Sequence, residues 1–266
     1  MKIAVTGNGD GNLRNELLKR GCVPLACDIT SIYAIKKAIK KVSPDVIIHC
    51  AAMTDVDACE ANPKKAYEVN VVGTSNLVGE FDGEFIYLST DHVFSGKKYF
   101  LSRENHSPSP VNVYGFTKWS GEIIAGYGVC KTHVVRTSRL FTFDMLKSDL
   151  TDLCSRAEKK EYTGLIKRSF LWLPHFAEAL MAYIELSNKP DILHLAGTES
   201  MSYYRFWQKI AEHICTSDGM ISERKHKLKD VVDRPFRGGL NVSLAEKLDL
   251  PLYSADDGIA AMGEWS

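Results

Sequence analysis

The chain has 266 residues, of which 45% are hydrophobic and 25% charged, as in an ordinary globular protein. This composition excludes a collagen-like, coiled-coil or disordered chain. Its 33 basic and 33 acidic residues cancel, so no global field attracts nucleic acid or an anionic membrane surface. No apolar run approaches the ~20 residues that span a bilayer. We therefore expect a cytoplasmic protein with no membrane segment and no nucleic-acid partner.

The cysteine pattern gives no sign of a covalent or metal framework. The seven cysteines are odd in number, and none forms a C-x-x-C pair. We expect reduced thiols, no disulfide framework and no metal site.

Short apolar segments alternate with amphipathic helical segments in the first half of the chain. The predicted strands are Lys2–Thr6, Val23–Cys27, Val46–Ile48, Phe85–Leu88 and His133–Val135. The predicted helices are Asn12–Arg20, Ser31–Val42, Pro63–Gly79 and Trp119–Tyr127. Apolar strands separated by helices imply a parallel sheet that is covered on both faces. The predicted fold class is therefore α/β, a doubly wound parallel sheet of Rossmann type.

The second half of the chain has a looser pattern. Helices are predicted over Leu140–Lys160, Phe176–Leu186 and Tyr203–Ile214, and a strand over Ile192–Ala196 that returns to the main sheet. We expect a dinucleotide-binding domain of residues 1–139 and 172–198. A smaller substrate-binding lobe would then consist of residues 140–171 and 199–266.

A glycine-rich turn directly follows the first predicted strand. Glycines at such a turn let a pyrophosphate approach the backbone at the positive end of the next helix. The spacing here is G-x-G-x-G rather than the usual G-x-G-x-x-G, and Arg14 stands where a third glycine is expected. We predict a dinucleotide-binding turn, although a turn without a ligand could have the same residues. The predicted contacts are Gly7, Gly9, Gly11, Asn12 and Leu13.

One carboxylate, Asp28, lies near the end of the second predicted strand. It could accept hydrogen bonds from a dinucleotide ribose, or it could cap the helix Ser31–Val42. The sequence leaves both alternatives open. The lysines of that helix are interpreted as a solvated face rather than a binding patch.

The pattern Tyr-x-x-x-Lys occurs three times, as Tyr33/Lys37, Tyr114/Lys118 and Tyr127/Lys131. A spacing of four residues places both side chains on one helix face, where an ammonium can lower the pKa of a phenol for proton transfer. Only Tyr114 stands at a loop-to-helix junction. It also follows the strand end Leu88–Asp91, whose hydroxyls could reach a substrate. Tyr114/Lys118 is therefore the predicted functional pair.

Further motifs occur in a fixed order along nearly the whole chain. They are Thr6–Gly7, Asp28–Thr30, Ser43–Asp57, Val69–Gly73, Ser89–Phe94, Glu104, Pro108, Pro110, Asn112–Lys118, Gly121–Glu122, Val135–Ser138, His194–Gly197, Arg234–Pro235 and Asn241–Ser243. In these motifs the chain resembles the dTDP-4-dehydrorhamnose reductase family, a branch of the extended short-chain dehydrogenases/reductases.

The resemblance implies a reductase that uses NADPH or NADH on the C4 keto group of a nucleotide-linked 4-keto-6-deoxy sugar. In the implied catalytic set, Tyr114 protonates the C4 alkoxide, Thr90 hydrogen-bonds the carbonyl oxygen, and Lys118 holds the nicotinamide ribose and stabilises the tyrosinate. The implied cofactor-binding residues beyond the glycine turn are Asp28, Ile29, Cys50, Ala51, Ala52, Thr54 and Asn70. The implied substrate-binding residues are Ser89, Asp91, His92, Val93 and Arg139.

Two departures from the family pattern limit what the resemblance implies. The segment before Asp28 is short, so the choice between NADH and NADPH is unreadable. Arg139 stands where the family usually has a tryptophan near the sugar. This arginine could bind the diphosphate or an acidic sugar substituent, or it could pair with Asp144.

Two other functions fit the same residues. Relatives of the family serve as regulatory subunits of methionine adenosyltransferase, and a nucleotide-sugar epimerase would carry the same catalytic set. Intact Thr90, Tyr114 and Lys118 favour an enzyme, whereas the irregular glycine turn favours a regulatory module. The implied partner is a nucleotide-diphosphate sugar, and a homodimer is compatible with the sequence.

Overall fold

The computed structural model describes residues 1–7, 12–98, 100–155, 160–213, 221–225 and 232–263. Of the predicted glycine-turn contacts, Gly9 and Gly11 lie outside the described residues. The chain divides into two compact units. The first consists of Met1–Phe94, Ser107–Arg136 and Ile184–Leu193, and the second of Ser95–His106, Thr137–Tyr183 and His194–Ser266. None of the described helices is long and apolar enough to cross a membrane.

Strands and helices alternate through the first unit, and the second unit contains further short strands and helices. In chain order the strands are β1 (Ile3–Thr6), β2 (Val23–Leu25), β3 (Val46–His49), β4 (Glu84–Thr90), β5 (Lys131–Thr137), β6 (Arg139–Phe141), β7 (Lys160–Thr163), β8 (Lys167–Arg168), β9 (Phe170–Trp172), β10 (Ile192–His194), β11 (Met201–Ser202) and β12 (Ile221–Arg224). The helices are α1 (Asn12–Lys19), α2 (Ile32–Val42), α3 (Val56–Ala61), α4 (Pro63–Tyr67), α5 (Gly73–Glu80), α6 (Val113–Gly126), α7 (Phe143–Ser155), α8 (Leu173–Glu185), α9 (Tyr203–His213), α10 (Ser243–Lys247) and α11 (Ala255–Ala261).

The first unit is built on a six-stranded sheet with the order β2-β1-β3-β4-β5-β10. β1 pairs in parallel with both β2 and β3, and β3 pairs in parallel with β4. The predicted doubly wound parallel sheet is thereby confirmed. Because β1 lies between β2 and β3, the connections leave it in opposite directions. Ligands of such sheets bind at this switch point, beyond the carboxyl ends of the strands.

Burial explains why the central strands read as continuous apolar runs. Every residue of β1 and β3 is buried, since helices cover both faces of the sheet. Ser31 caps α2, with its hydroxyl oxygen accepting from the Ala34 amide at 3.3 Å. The alternative in which Asp28 caps that helix is therefore wrong. Asp28 instead accepts from the amide and hydroxyl of Thr30, at 2.9 and 2.7 Å.

Three predicted helices have different bounds in the structure. The segment Leu140–Lys160 begins as a strand, because Leu140 and Phe141 pair with Leu171 and Trp172 of β9. The predicted helix Pro63–Gly79 contains a π-helical turn, Glu68–Val72, between α4 and α5. The helix predicted over Trp119–Tyr127 begins earlier, at Val113. By contrast, the predicted return strand is confirmed as β10 at the edge of the main sheet.

The second unit has its own aromatic core. Its strands form the two-stranded pairs β6/β9, β7/β12 and β8/β11. Phe170 and Phe206 stack with ring centroids 4.0 Å apart, and Tyr162 stacks on Trp207 at 4.8 Å. Large buried aromatic surfaces of this kind stabilise short strands that could not persist alone.

Candidate active site

The carboxyl end of β4 leads into a tight 3-10 turn, Asp91–Val93. Thr90 begins this turn, and its hydroxyl oxygen accepts from the His92 amide at 3.2 Å. Thr90, Asp91, His92 and Val93 are all buried. The predicted catalytic and substrate-binding residues of this segment thus lie together at one edge of the sheet.

Helix α6 packs directly against that turn. Asn112 caps the helix by accepting from the Gly115 amide at 2.8 Å, and its amide nitrogen lies 3.1 Å from His92 Nδ1. A Cβ on Gly115 would lie 2.2 Å from the His92 carbonyl oxygen, so only glycine permits this approach. The Tyr114 ring consequently lies edge-on to the His92 ring, with centroids 5.4 Å apart.

Burial sets the protonation of the Tyr114/Lys118 pair. It raises the pKa of Tyr114 above its ordinary value, and a hydrogen bond with Thr90 opposes that rise. Burial lowers the pKa of Lys118 to about 8, with the Glu122 carboxylate opposing that change. The pattern alone indicates that a lysine ammonium can lower the phenol pKa, but in the structure burial is the largest influence on Tyr114 and raises its pKa, because burial favours neutral forms. Near neutral pH the phenol keeps its proton and can donate it.

The ammonium of Lys118 lies over the face of the Tyr87 ring. Its ammonium nitrogen lies 4.1 Å from the centre of that ring, within cation–π distance. The Tyr87 hydroxyl donates to the Lys118 carbonyl oxygen at 3.2 Å. Tyr87 could not be singled out from sequence alone, since its contacts depend on the packing of α6 against β4.

The other two Tyr-x-x-x-Lys pairs lie on the surface. Tyr33 is 77% exposed and Tyr127 is 86% exposed, so neither phenol has a site around it. Exposure therefore separates Tyr114 from the two occurrences of the same pattern.

Gly7 and Arg14 are described residues on either side of the predicted glycine turn. Gly7 has φ +120°, and a Cβ there would lie 3.6 Å from Arg14 Cδ and 3.9 Å from the Ala51 amide nitrogen. The Nε of Arg14 is buried without a hydrogen-bond partner among the described residues. A buried guanidinium nitrogen beside a glycine turn suits a phosphate oxygen. Arg14 is thus a candidate ligand that the glycine pattern alone had marked only as an irregularity.

The stretch after β3 lies at the same switch point. The Ala51 amide donates to Thr6 Oγ1 at 3.1 Å, while Ala51 and Ala52 remain partly accessible and Thr54 is exposed. Burial raises the pKa of the Cys50 thiol to about 12, so this cysteine stays protonated. It can line a cofactor but is unsuited to act as a nucleophile.

The other predicted cofactor ligands Asn70, Ile29 and Asp28 lie in three different environments. The Asn70 side chain accepts from the Met53 amide at 2.7 Å and donates to the Met53 carbonyl and to Thr117 Oγ1, both at 3.0 Å. Ile29 is buried against Gly73, whereas Asp28 is exposed. Asn70 thus holds the loop after β3 in place.

The Ser89 hydroxyl points into a buried ion pair. It donates to the Glu122 carboxylate, which also accepts from Arg136 Nε at 2.9 Å and Arg136 Nη2 at 2.7 Å. This bidentate pair fixes the strand end beside Thr90. In the second unit, Arg139 of β6 is exposed, and no ion pair with Asp144 is found among the residues that the structure describes. No cluster of side chains that could hold a metal ion was found among the described residues of either unit.

A doubly wound sheet whose carboxyl edge carries a threonine, a tyrosine and a lysine defines an extended short-chain dehydrogenase/reductase, a class of nicotinamide-dependent oxidoreductases. The family model described as the RmlD substrate binding domain matches residues 1–262. The chain belongs to this family, and the resemblance seen in the sequence is confirmed.

Named relatives span the length of the chain. The methionine adenosyltransferase 2 subunit beta of Xenopus laevis is 43% identical over 233 residues, covering 82% of this chain and 69% of that protein. The crystal structure of a hypothetical dTDP-4-dehydrorhamnose reductase from Sulfolobus tokodaii is 28% identical, with a TM-score of 0.84 and coverage of 97% of this chain and 99% of that one. The Bacillus anthracis dTDP-4-dehydrorhamnose reductase, solved in complex with NADP, has a TM-score of 0.89 at 24% identity and covers 98% and 99%. That last likeness shows the shared fold.

Proposed function

We propose that the chain is an NAD(P)H-dependent reductase of the C4 keto group of a nucleotide-linked 4-keto-6-deoxy sugar. The observation that carries this proposal is the arrangement of Tyr114, which contacts His92 and hydrogen-bonds Thr90, one helical turn from the buried Lys118 at the carboxyl edge of the sheet. The relatives named as dTDP-4-dehydrorhamnose reductases support the same substrate class.

In this proposal the dinucleotide supplies the hydride, and the chain's own residues position the sugar and protonate the oxygen at C4. Tyr114 donates its phenolic proton to the alkoxide that forms at C4. The Thr90 hydroxyl hydrogen-bonds the same oxygen, and the Lys118 ammonium stabilises the tyrosinate that remains. Gly7 and Arg14 would hold the pyrophosphate.

Because the chain has no net charge, cationic side chains at the binding site itself must hold the diphosphate of the sugar nucleotide. Arg139 is exposed and is assigned to the diphosphate or to an acidic substituent of the sugar. We assign dinucleotide binding to the first unit, and sugar-binding residues such as Arg139 to the second.

The test is consumption of NADPH and of NADH by the purified protein with dTDP-, UDP- and GDP-linked 4-keto sugars. We expect stoichiometric loss of reduced-nicotinamide absorbance with at least one sugar. Conversion of a sugar without net consumption of cofactor would identify an epimerase instead. Calorimetry that detects no binding of either dinucleotide to the folded protein would refute the proposal.

A second candidate, a regulatory subunit, is favoured by the 43% identity to the beta subunit from Xenopus laevis. It predicts a stable complex with a methionine adenosyltransferase catalytic subunit and no turnover of any 4-keto sugar. Gel filtration of the mixture, run beside the reductase assay, separates the two candidates. Turnover that depends on the Tyr114 hydroxyl favours the reductase.

A further inference from the structure

We propose that His49 is a positioning residue that ties the ends of β1 and β3 to α5 by buried hydrogen bonds, one helical turn from the Asn70 hydrogen bonds that join the loop after β3 to helix α6. The inference rests on the proposed function, which assigns that loop to the dinucleotide and that helix to the proton donor. Neither His49 nor its partners belong to the predicted catalytic set.

The two ring nitrogens of His49 each contact a buried threonine. His49 ends β3 and lies beside Thr6, the last residue of β1, with Nδ1 2.8 Å from Thr6 Oγ1. On the other side, Nε2 lies 3.1 Å from Thr74 Oγ1 in α5. At most 1% of the surface of each of these three residues is exposed. Water is therefore absent as a competing partner, and the imidazole bridges two elements.

The neighbouring groups fix the direction of each hydrogen bond. The Thr74 hydroxyl donates to the Asn70 carbonyl oxygen at 2.7 Å, so its oxygen accepts from the Nε2–H of His49. The Ala51 amide donates to Thr6 Oγ1, which leaves the Thr6 hydroxyl proton for Nδ1. With the proton on Nδ1 instead, the Thr6 hydroxyl would have no acceptor among the described residues. The neutral tautomer with hydrogen on Nε2 is thus the one that satisfies every member.

Asn70, one turn before Thr74, joins the loop after β3 to helix α6 by separate side-chain hydrogen bonds. The Asn70 amide, on the π-helical turn, donates to both Met53 O and Thr117 Oγ1. The Thr117 hydroxyl donates to the Tyr114 carbonyl oxygen at 2.9 Å. Asn70 thus connects the loop carrying Met53 to helix α6, and His49 acts on this connection through Thr74, whose hydroxyl is bonded to the Asn70 carbonyl oxygen.

A charged imidazole would break this order because both of its nitrogens would donate. The groups facing His49 are the Lys118 ammonium and, on β4, the rings of Phe85 and Tyr87 at 5.5 and 5.9 Å. Burial, together with the charge of Lys118, lowers the pKa of His49 to about 3. The His49 imidazole therefore remains neutral near neutral pH, and the direction of its two hydrogen bonds does not change.

Nitrogen NMR of histidine-labelled protein tests the tautomer without any ligand. The His49 signal is assigned by its absence in His49→Asn. We expect the Nε2–H pattern without titration from about pH 5 to about pH 9. An Nδ1–H pattern, or titration near the ordinary histidine pKa of about 6.5, would overturn the proposal.

The variant Thr74→Val tests the positioning role, since it removes the hydroxyl with little change in shape. We expect shifted amide signals at Ala51 and Tyr114 and dinucleotide affinity reduced about fivefold or more, the usual scale of one lost hydrogen bond. Thr74→Ser should restore both. The matched control is Thr132→Val, whose hydroxyl donates to Ala125 O at 2.8 Å away from these hydrogen bonds.

If Thr74→Val lowers only the melting temperature, as the control does, the hydrogen bonds are merely structural and the proposal is refuted. If the wild-type protein binds neither NADPH nor NADH, the proposed function fails. The amide signals of the ligand-free protein still decide in that case whether Thr74 connects Ala51 to Tyr114.

Discussion

Replacing Tyr114 with phenylalanine removes the proposed proton donor and leaves the ring in place. The edge-on contact with His92, at 5.4 Å, involves only the ring and is retained. Loss of the hydrogen bond with Thr90 should lower the free energy of unfolding by about 1 kcal/mol. We therefore expect a folded variant with nearly wild-type dinucleotide affinity.

The catalytic effect should be much larger than the effect on stability. General acid catalysis contributes a factor of about 10² or more to kcat. At about 1.4 kcal/mol for each tenfold change, this corresponds to at least ~2.7 kcal/mol in the barrier. Substrate binding that is the same in ground and transition states is unaffected, so KM should change little.

The assay is consumption of reduced cofactor at saturating sugar nucleotide, combined with calorimetry of cofactor binding. Tyr33→Phe and Tyr127→Phe are the matched controls, because both phenols are exposed and both belong to the same sequence pattern. Wild-type kcat in Tyr114→Phe would refute the assignment of Tyr114 as the proton donor. An equal loss in all three variants would also refute it.

Four further changes test other parts of the site. With its pKa near 8, Lys118 loses its ammonium as the pH rises, so kcat should fall above about pH 8, and Lys118→Arg should move that decline beyond about pH 10 in a pH–rate profile. Gly115→Ala places a Cβ against a backbone oxygen and should cost more than about 2 kcal/mol in denaturant unfolding as well as activity. Arg14→Met should weaken dinucleotide binding about tenfold in calorimetry, and an unchanged Kd would exclude a phosphate contact. Arg139→Ala should raise the substrate Kd about ten- to a hundredfold, the scale of roughly 1.5–3 kcal/mol for a charged hydrogen bond, and a change below about threefold would exclude direct contact.

The first half of the fold was predictable because each element satisfies local rules. β1 and β3 are apolar up to their last residue, and α2 has an apolar stripe and a serine cap, so hydrophobic periodicity and the cap residue locate them. The start of the helix predicted over Leu140–Lys160 was wrong for the opposite reason, although α7 lies within that range. Its first residues pair with β9, about thirty positions away, and this tertiary pairing overrides local helical spacing.

The site was predictable in its residue types and less so in their contacts. Sequence position distinguished Tyr114 from two identical patterns, and exposure in the structure agrees with that choice. The hydrogen bonds of Ser89 and Asn70 depend on helices that only the folded chain brings near. The burial of Arg14 Nε likewise depends on how α1 begins after the glycine turn. No sequence pattern indicates whether a polar side chain is already hydrogen-bonded to other residues of the folded chain.

Burial shifts the pKa values of the two members of the proposed catalytic pair in opposite directions. It raises the pKa of Tyr114 and lowers that of Lys118, because in each case it disfavours the charged form. Reduction of a carbonyl requires a phenol that still carries its proton, whereas oxidation of an alcohol requires a tyrosinate as the base. A phenol whose pKa is raised therefore suits the proposed reduction near neutral pH. The Glu122 carboxylate raises the pKa of Lys118 against burial, which favours the ammonium form that the proposed mechanism requires.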